Sequence, residues 1–277
     1  MPTAVGGIDA GTTVAQLNTK TIVEILNDLL FPTVLASIGT NDNKSVTLTT
    51  TGSNATYEVG EALTRTLTAN FNPGSITNGD GTTGPNLVGS ATNYRFTGTG
   101  ISQTDQPGNT LSITWDMLYG DNDWDVVVSH DAGTGVYTDN KGNTGTNLDG
   151  NRAAGTVSDT NTSPNFTGRY KLFYGTGGTT PTTSAEVRAL SSEFDTDNTF
   201  TLVTGNTDTK FKIALPPGRT IVSVIDTGNL NADVTSTYLL STITVNDAGG
   251  TARTYNYYEA NYGSPYPTST NHVVTIS

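Results

Sequence analysis

Threonine is the residue that most restricts what this chain can fold into, because it makes up roughly a fifth of the 277 residues. Its β-branched side chain loses rotamer freedom in a helix, but it packs well on the half-buried surface of a pleated strand. The 31 glycines, together with many asparagines and aspartates, supply the turns that short strands need. The composition therefore predicts many short strands joined by tight, polar connections.

Alternating polar and apolar segments, separated by turn clusters, continue through most of the chain. The run 246–251 joins two strong strand signals and predicts a hairpin, whereas the Gly/Thr/Asn-rich stretch 134–164 reads mainly as a long loop. Residues 184–192 could form a short helix. The predicted strands are 45–50, 56–59, 63–71, 93–96, 111–115, 124–129, 155–158, 168–175, 200–203, 210–215, 221–226, 242–246, 252–259 and 273–276.

The order of these signals predicts a mostly β fold, in which a short N-terminal helix is followed by two β-sandwich-like domains. An anchor segment at residues 1–33 contains the helix, a β domain with long loops covers 34–167, and a C-terminal β-sandwich covers 168–277. We find no repeat of fixed period, which argues against propellers, solenoids and β-helices.

The N-terminal helix is predicted between residues 19 and 32. Thr21 and Glu24 have the spacing of a capping box, and Pro32 marks the end of the helix. An apolar stripe at helical period follows Ile22, Ile25, Leu26 and Leu29, with Val23 and Leu30 beside it. This stripe needs a partner, which is either the chain's own β domain or a sister helix or neighbouring protein.

Charge and the absence of cysteine exclude several classes of function. The chain has 13 basic and 25 acidic residues, for a net charge of −12, and it contains no run of Lys or Arg, so nucleic-acid binding is disfavoured. Without cysteine there is no disulfide scaffold, thiol catalysis or cysteine metal site. We also see no signal-peptide pattern and no apolar run of membrane-spanning length, so we expect synthesis in the cytoplasm and no membrane insertion.

The residues that could carry catalysis are few and scattered. His130 and His272 fall in different predicted domains, and no serine lies in a Gly-x-Ser-x-Gly turn. The acidic residues offer no recognisable pair for glycoside hydrolysis, and no phosphate-binding glycine loop is present. The sequence therefore predicts a protein that is not an enzyme and needs no cofactor.

A calcium loop is suggested by the alternating acids Asp121, Asp123 and Asp125. The sixth position of such a loop should be glycine and the twelfth glutamate, but here they are Val126 and Ala132. This excludes an EF-hand. A looser calcium site and a solvated turn before a strand remain as the two alternatives.

Tyrosines are concentrated near the C-terminus, at Tyr255, Tyr257, Tyr258, Tyr262 and Tyr266. A tyrosine ring supplies a large contact area with a polar tip, which suits a subunit interface or the face of a sugar. Packing in the core or along a sheet edge is the alternative. Tyr255, Tyr257, Tyr258 and Tyr262 are thus candidates for contact with a surface or a glycan.

Several segments of the C-terminal half resemble a β module of bacteriophage structural proteins, namely fibre, neck and virion proteins. These segments are 169–175 (RYKLFYG), 185–190 (AEVRAL), 214–219 (ALPPGR), 222–226 (VSVID) and 244–250 (TVNDAGG). Gly11, Thr12 and Thr13, leading into 21–26 (TIVEIL) and Pro32, are similar to the first helix of such chains. The stretch 41–167 matches only loosely.

The resemblance implies a component of a virion, made in the host cytoplasm and acting by assembly and surface contact. It implies a homo-oligomer, with a trimer favoured, which contacts other virion proteins and, as one option, a host surface glycan. It supplies no catalytic residue. The other class of function that the sequence allows is a bacterial surface or secreted carbohydrate-binding module.

Overall fold

The computed structural model describes residues 13, 19–39, 43–52, 55–159, 166–266 and 269–277, without the side chains of Gln103 and Thr104. Within these residues the chain is mostly β, as predicted. Helix α1 spans Ile22–Leu30 and helix α2 spans Ser184–Arg188, and single 3-10 turns cover Asp149–Asn151 and Thr235–Thr237. Gly11, Thr12 and most of the predicted anchor segment before residue 19 lie outside the described residues.

The first β region follows α1 and ends at residue 169. Its strands are β1 (Ser45–Thr50), β2 (Thr56–Glu58), β3 (Ala62–Asn72), β4 (Ser75–Thr77), β5 (Thr83–Asn86), β6 (Ala91–Gly98), β7 (Ile101–Gln106), β8 (Thr110–Asp116), β9 (Gly120–Asn122), β10 (Trp124–His130), β11 (Gly155–Ser158) and β12 (Phe166–Arg169). They form sheets in the orders β1-β3-β8, β11-β10-β6-β7, β2-β12-β9 and β4-β5.

Aromatic residues fill the core of the first β region. Trp115 and Trp124 meet edge to face with ring centroids 4.8 Å apart, and Phe166 packs against both. The indole N–H of Trp124 donates to the carbonyl of Thr99 at 2.7 Å, so its burial leaves that donor satisfied. These rings come from β8, β10 and β12, which explains how three separate sheets share one core.

The second β region contains the remaining strands and α2. Its strands are β13 (Lys171–Gly177), β14 (Ser191–Phe194), β15 (Thr199–Thr204), β16 (Lys210–Leu215), β17 (Ile221–Asp226), β18 (Ala232–Asp233), β19 (Leu239–Asn246), β20 (Ala252–Asn261) and β21 (Thr270–Ile276). One sheet has the order β14-β13-β16-β20-β19 and the other β15-β21-β17-β18. Phe211, Ile213 and Leu215 of the first sheet are buried with Leu202 and Val274 of the second, as in a sandwich.

The predicted strands largely coincide with the observed ones, and 45–50, 210–215 and 221–226 agree at both ends. The run 168–175, however, is not one strand. It is interrupted at Tyr170, because β12 pairs with β2 and β9 of the first β region, whereas β13 pairs with β14 and β16 of the second. β12 thus crosses the predicted domain boundary between 167 and 168.

The short strands β4, β5, β7, β9, β14 and β18 were not predicted from the sequence. Most are too short to show an alternating pattern, and their pairing depends on neighbours elsewhere in the chain. The predicted helix at 184–192 is confirmed only at its start, because the chain leaves α2 after Arg188 and forms β14.

The two β regions are joined by a polar contact. The guanidinium of Arg188, at the end of α2, donates to both carboxylate oxygens of Glu58, at 2.5 and 2.9 Å, and Glu58 lies at the end of β2. Beside this pair, a Cβ on Gly60 would lie 2.5 Å from the backbone nitrogen of Gly249, so the β2–β3 and β19–β20 turns touch through glycine. Close backbone approach and a bidentate ion pair hold the regions in one orientation.

Candidate functional site

Helix α1 is the most exposed element with a clear apolar face. Its capping box forms as predicted: the amide of Glu24 donates to Thr21 Oγ1 at 3.2 Å, and the amide of Thr21 donates to the Glu24 carboxylate at 2.6 Å. These hydrogen bonds from Thr21 lower the pKa of Glu24. The helix ends where the Phe31 amide donates to the carbonyl of Asn27 before Pro32.

The predicted apolar stripe is present on α1, and its side chains remain uncovered by the described residues. No residue of the helix is buried, and Ile25 is only half-buried. The exposed fractions are 76% for Ile22, 48% for Leu26, 40% for Leu29 and 67% for Leu30. The described parts of the β regions therefore leave most of this face exposed.

Polar contacts connect α1 to the first β region. Asp28 accepts hydrogen bonds from Lys20 and from Lys141, the latter at 2.8 Å, and the two lysines hold the pKa of the Asp28 carboxyl at about 2. Asn140 accepts from the amide of Val34 at 2.9 Å and donates its own amide to the Val34 carbonyl at 3.1 Å. Contacts of this kind orient the helix without covering its apolar face.

An open depression of about 630 Å³ lies between α1 and the loop that carries Lys141. It is lined by Lys20, Glu24, Asn27, Asp28, Phe31 and Lys141. The depression separates the helix from the β region along one side.

The C-terminal tyrosines are largely inside the second β region. Tyr255, Tyr257 and Tyr258 are buried, and burial raises the pKa of Tyr255 and Tyr257. The Tyr257 hydroxyl donates to Glu259 at 2.7 Å, and Tyr262 is half-buried with its ring 5.2 Å from that of Phe211. The interpretation of Tyr255, Tyr257 and Tyr258 as surface or glycan contacts is corrected: their rings fill the core, which was the alternative.

A buried polar cluster surrounds His272 in the second β region. The imidazole Nδ1 lies 2.7 Å from the hydroxyl of Tyr238, and Nε2 lies 3.8 Å from the carboxylate of Asp226. Burial lowers the pKa of His272. Burial opposes ionisation of Asp226, but hydrogen bonds from Tyr266 and Thr270 outweigh it and lower that pKa. His272 is fully buried, so the cluster fits an internal network better than a reaction centre open to substrate.

The second histidine, His130, lies in the first β region and does not join this cluster. Its ring stacks on Phe71 with centroids 5.9 Å apart, and Nδ1 lies 2.9 Å from the carbonyl of Asp131. The two histidines are thus separate packing residues, each within its own β region.

The alternating acids of β9 and the start of β10 do not form a metal site. Asp121, Asp123 and Asp125 are all exposed, and Asp121 accepts a hydrogen bond from the hydroxyl of Thr167 at 3.1 Å. Among the described residues, no group of three His, Cys, Asp or Glu side chains is placed to hold a metal ion. The solvated strand end is the alternative that the geometry favours here.

Two features of the fold could not be predicted from the sequence. The Asp226–His272 cluster carries no local signal, because its members come from separate strands and loops. The ion pair of Glu58 and Arg188 joins residues that are 130 positions apart. A third feature, the exposed start of β19, could have been predicted from the sequence. The apolar residues Leu239 and Leu240 extend the predicted strand 242–246 toward the N-terminus.

Comparisons of the chain with protein-family models, with curated proteins and with solved structures found no match. None of the α-helices in the described part of the chain is both long and apolar enough to cross a membrane.

Proposed function

We propose that the chain is a structural component of a bacteriophage virion, of the fibre, spike or neck/baseplate adaptor kind, which acts by assembly and surface contact and not by catalysis. The observation that carries the proposal is the uncovered apolar face of α1. In this proposal the face packs against the same helix of sister copies, with three copies favoured. The β regions then project from the point where the helices meet.

The spacing of the apolar residues supports association between copies of the helix. Ile22, Ile25 and Leu29 follow the 3-4 spacing of the core positions in a helical bundle. Isoleucine at the first two of these positions favours bundles of three or more helices over pairs of helices. Removing these side chains from water is favourable at about 25 cal/mol per Å² of apolar area. Because Lys20 and Lys141 neutralise Asp28, the helices meet with little repulsion.

The β regions support a role as a rigid spacer. The Glu58–Arg188 ion pair and the contact of Gly60 with Gly249 connect them. The resemblance of the C-terminal segments to phage fibre and neck modules supports the virion as the setting. Burial of Tyr255, Tyr257 and Tyr258 removes the sequence argument for the carbohydrate-binding module.

Two variants with equal charge change test the assembly surface. Leu26→Asp places a carboxylate on the apolar face, whereas Asn27→Asp adds the same charge one position away, outside the stripe. We expect sedimentation velocity to show oligomers of three or more copies for the wild type and for Asn27→Asp, and no species larger than a dimer, with unchanged circular dichroism, for Leu26→Asp. Negative-stain images of the wild type should show projecting β regions around a three-fold axis.

The proposal is overturned if the wild type sediments as a monomer at the highest attainable concentration, or if Leu26→Asp assembles as well as Asn27→Asp. Specific binding on a glycan array by a monomeric protein would favour the carbohydrate-binding module instead.

A further inference from the structure

Strand β19 forms an open edge of the larger sheet in the second β region. It pairs with β20 on one side, from Leu239 opposite Glu259 to Asn246 opposite Ala252, and no strand of the described chain pairs with its other side. With eight residues it is longer than the strands at the other sheet edges of this region, β14, β15 and β18.

The hairpin after β19 shows which backbone groups face outward. The amide of Asp247 donates to the carbonyl of Thr251 at 2.9 Å, so Asp247 points toward β20. The neighbouring residue, Asn246, points the other way: its amide donates to Ser184 Oγ at 2.8 Å and its carbonyl accepts from Arg188 at 2.8 Å. Helix α2 thus occupies the outward groups of the last residue of the strand.

Antiparallel pairing alternates along the strand, so the outward direction recurs at every second residue before Asn246. The N–H and C=O groups of Leu240, Thr242 and Thr244 therefore face away from β20, and no described residue takes them as hydrogen-bond partners. An edge strand with free backbone groups is a template for another strand.

The side chains of β19 do nothing to protect this edge. Edges in monomeric proteins are commonly blunted by lysine, proline, bulges or very short length. β19 reads LLSTITVN, without a charge, a proline or a bulge in its register. Leu239 and Leu240 are 71% and 59% exposed on opposite faces of the sheet, whereas β14 at the other edge is four residues long and contains Glu193.

We infer that β19 pairs antiparallel with β19 of a second copy of this chain, about a two-fold axis at Thr242. Leu240 then lies opposite Thr244 of the second copy, and each pair exchanges two hydrogen bonds. Leu239 comes to lie opposite Val245 of the second copy, next to apolar surface. The contact lies away from α1 and does not rest on the proposed function.

Helix α2 selects this register. A shift by two residues toward the hairpin would bring Leu240 opposite Asn246 of the second copy, whose backbone groups are already bonded to Ser184 and Arg188. A shift the other way leaves the groups of Thr244 without a strand residue to pair with, because β19 begins at Leu239. Only the register centred on Thr242 satisfies the outward groups at 240, 242 and 244 in both copies.

The charges of the two copies determine how this contact should respond to salt. Each copy carries a net charge of −12, so most surfaces of two copies repel, but β19 itself is uncharged. Salt should therefore strengthen the contact, since it screens the repulsion between the copies and weakens no ion pair across the strands. A contact that depended on opposite charges would instead weaken as the salt concentration rises.

Single cysteines test the register directly, because the chain has no cysteine of its own. In a Leu26→Asp background, which removes the α1 contact, Thr242→Cys places two thiols opposite each other at the two-fold axis, within disulfide reach. Thr244→Cys is the matched control: it is also exposed, but the two thiols are about 13 Å apart along the strands. We expect mild oxidation to give disulfide dimers at least tenfold faster for Thr242→Cys.

Proline at the same position gives a second, non-covalent test. Thr242→Pro removes an outward N–H that the fold itself does not use, so the monomer should keep its fold while the dimer is lost. Sedimentation of the Leu26→Asp protein in low and high salt should show a monomer–dimer equilibrium that shifts toward dimer with salt and disappears in Thr242→Pro. Equal cross-linking of the two cysteine variants, or none, overturns the inference, as does dimerisation that persists in a folded Thr242→Pro protein.

Discussion

The two α-helices begin with the same device and end in opposite surroundings. In α1 the capping box is made by Thr21 and Glu24, and in α2 by Thr183 and Glu186. The nine residues of α1 bury none of their side chains, whereas the five residues of α2 bury Val187 completely against the second β region. The longer, more apolar helix is thus the one that the described residues leave mostly exposed.

The difference shows that the start of a helix is determined by a few local residues, whereas the surface that the helix packs against is determined by the tertiary fold. A cap satisfies free N–H groups within one turn, so three or four residues suffice to determine it. What a helix covers depends on the strands that lie beside it. Helix α2 packs beside β13 and β19. Helix α1 is bonded through Asp28 to Lys141 of a polar loop, and Asn140 of that loop bonds to Val34, just after the helix.

The largest expected effect comes from placing a charge on each apolar face. Val187→Asp buries an unpaired carboxylate and should lower the free energy of unfolding by about 4 kcal/mol. Leu26→Asp should change that free energy by less than about 0.5 kcal/mol, because the side chain is already in water. Urea unfolding of both variants, monitored by circular dichroism at low protein concentration, checks this. Equal losses would mean that α1 is packed against the β regions in solution.

A smaller effect is expected from the charged end of α2. Arg188→Met leaves the buried carboxylate of Glu58 with only Lys171, 3.4 Å away, and should cost about 2 kcal/mol. The double variant Glu58→Gln, Arg188→Met should lose less than the sum of the two single variants, because the charge that needed a partner is gone. Additive losses in urea unfolding would show that the pair does not couple the two β regions.

The N-cap residues of the two helices should differ in how their loss affects stability. Thr183→Ala and Thr21→Ala each delete one N-cap and should each cost about 1 kcal/mol of helix stability. For α2 this loss should appear in global urea unfolding, because Val187 belongs to the core. For α1 it should appear only as faster amide hydrogen exchange within residues 22–30. A global loss of equal size in Thr21→Ala would contradict the separation between the two helices.

The smallest effect concerns the polar attachment of α1. Lys141 and Lys20 lower the pKa of Asp28 from 3.8 to about 2. Since the folded-state pKa is the lower one, the attachment contributes fully above pH 3.8 and is lost as the pH falls through about 2. An NMR titration of the Asp28 carboxyl and the Lys141 ammonium should show one shared transition near pH 2. In Asp28→Asn the Lys141 transition should be absent. In the wild type, an Asp28 midpoint near 3.8 would mean that the contact with the lysines does not form.

Much of the strand pattern could be predicted from the sequence, because side-chain alternation is a local property. β16 and β17 agree with the prediction at both ends, since each is a short, mostly apolar run bounded by turn residues. The capping boxes are equally local. The exposed stripe of α1 could be predicted as a stripe, but not as exposed.

Other features depended on distant partners. Tyr255 and Tyr257 occupy one strand face that the sequence left open to either core or surface, and the fold covered it with α2 and β13. The break at Tyr170 arises because two successive strands pair in different sheets. Nothing within residues 168–175 indicates that the strand is interrupted there.

By itself the sequence determined the β-rich class, the two helix starts and the positions of most strands, because turn chemistry, capping and alternation act over a few bonds. Tertiary packing determined which tyrosines are buried, how Glu58 meets Arg188, and that the described residues leave α1 and the outer side of β19 exposed. Whether a side chain is buried or a strand edge is exposed depends on the elements that pack beside it, and those elements are tens of residues away in the sequence.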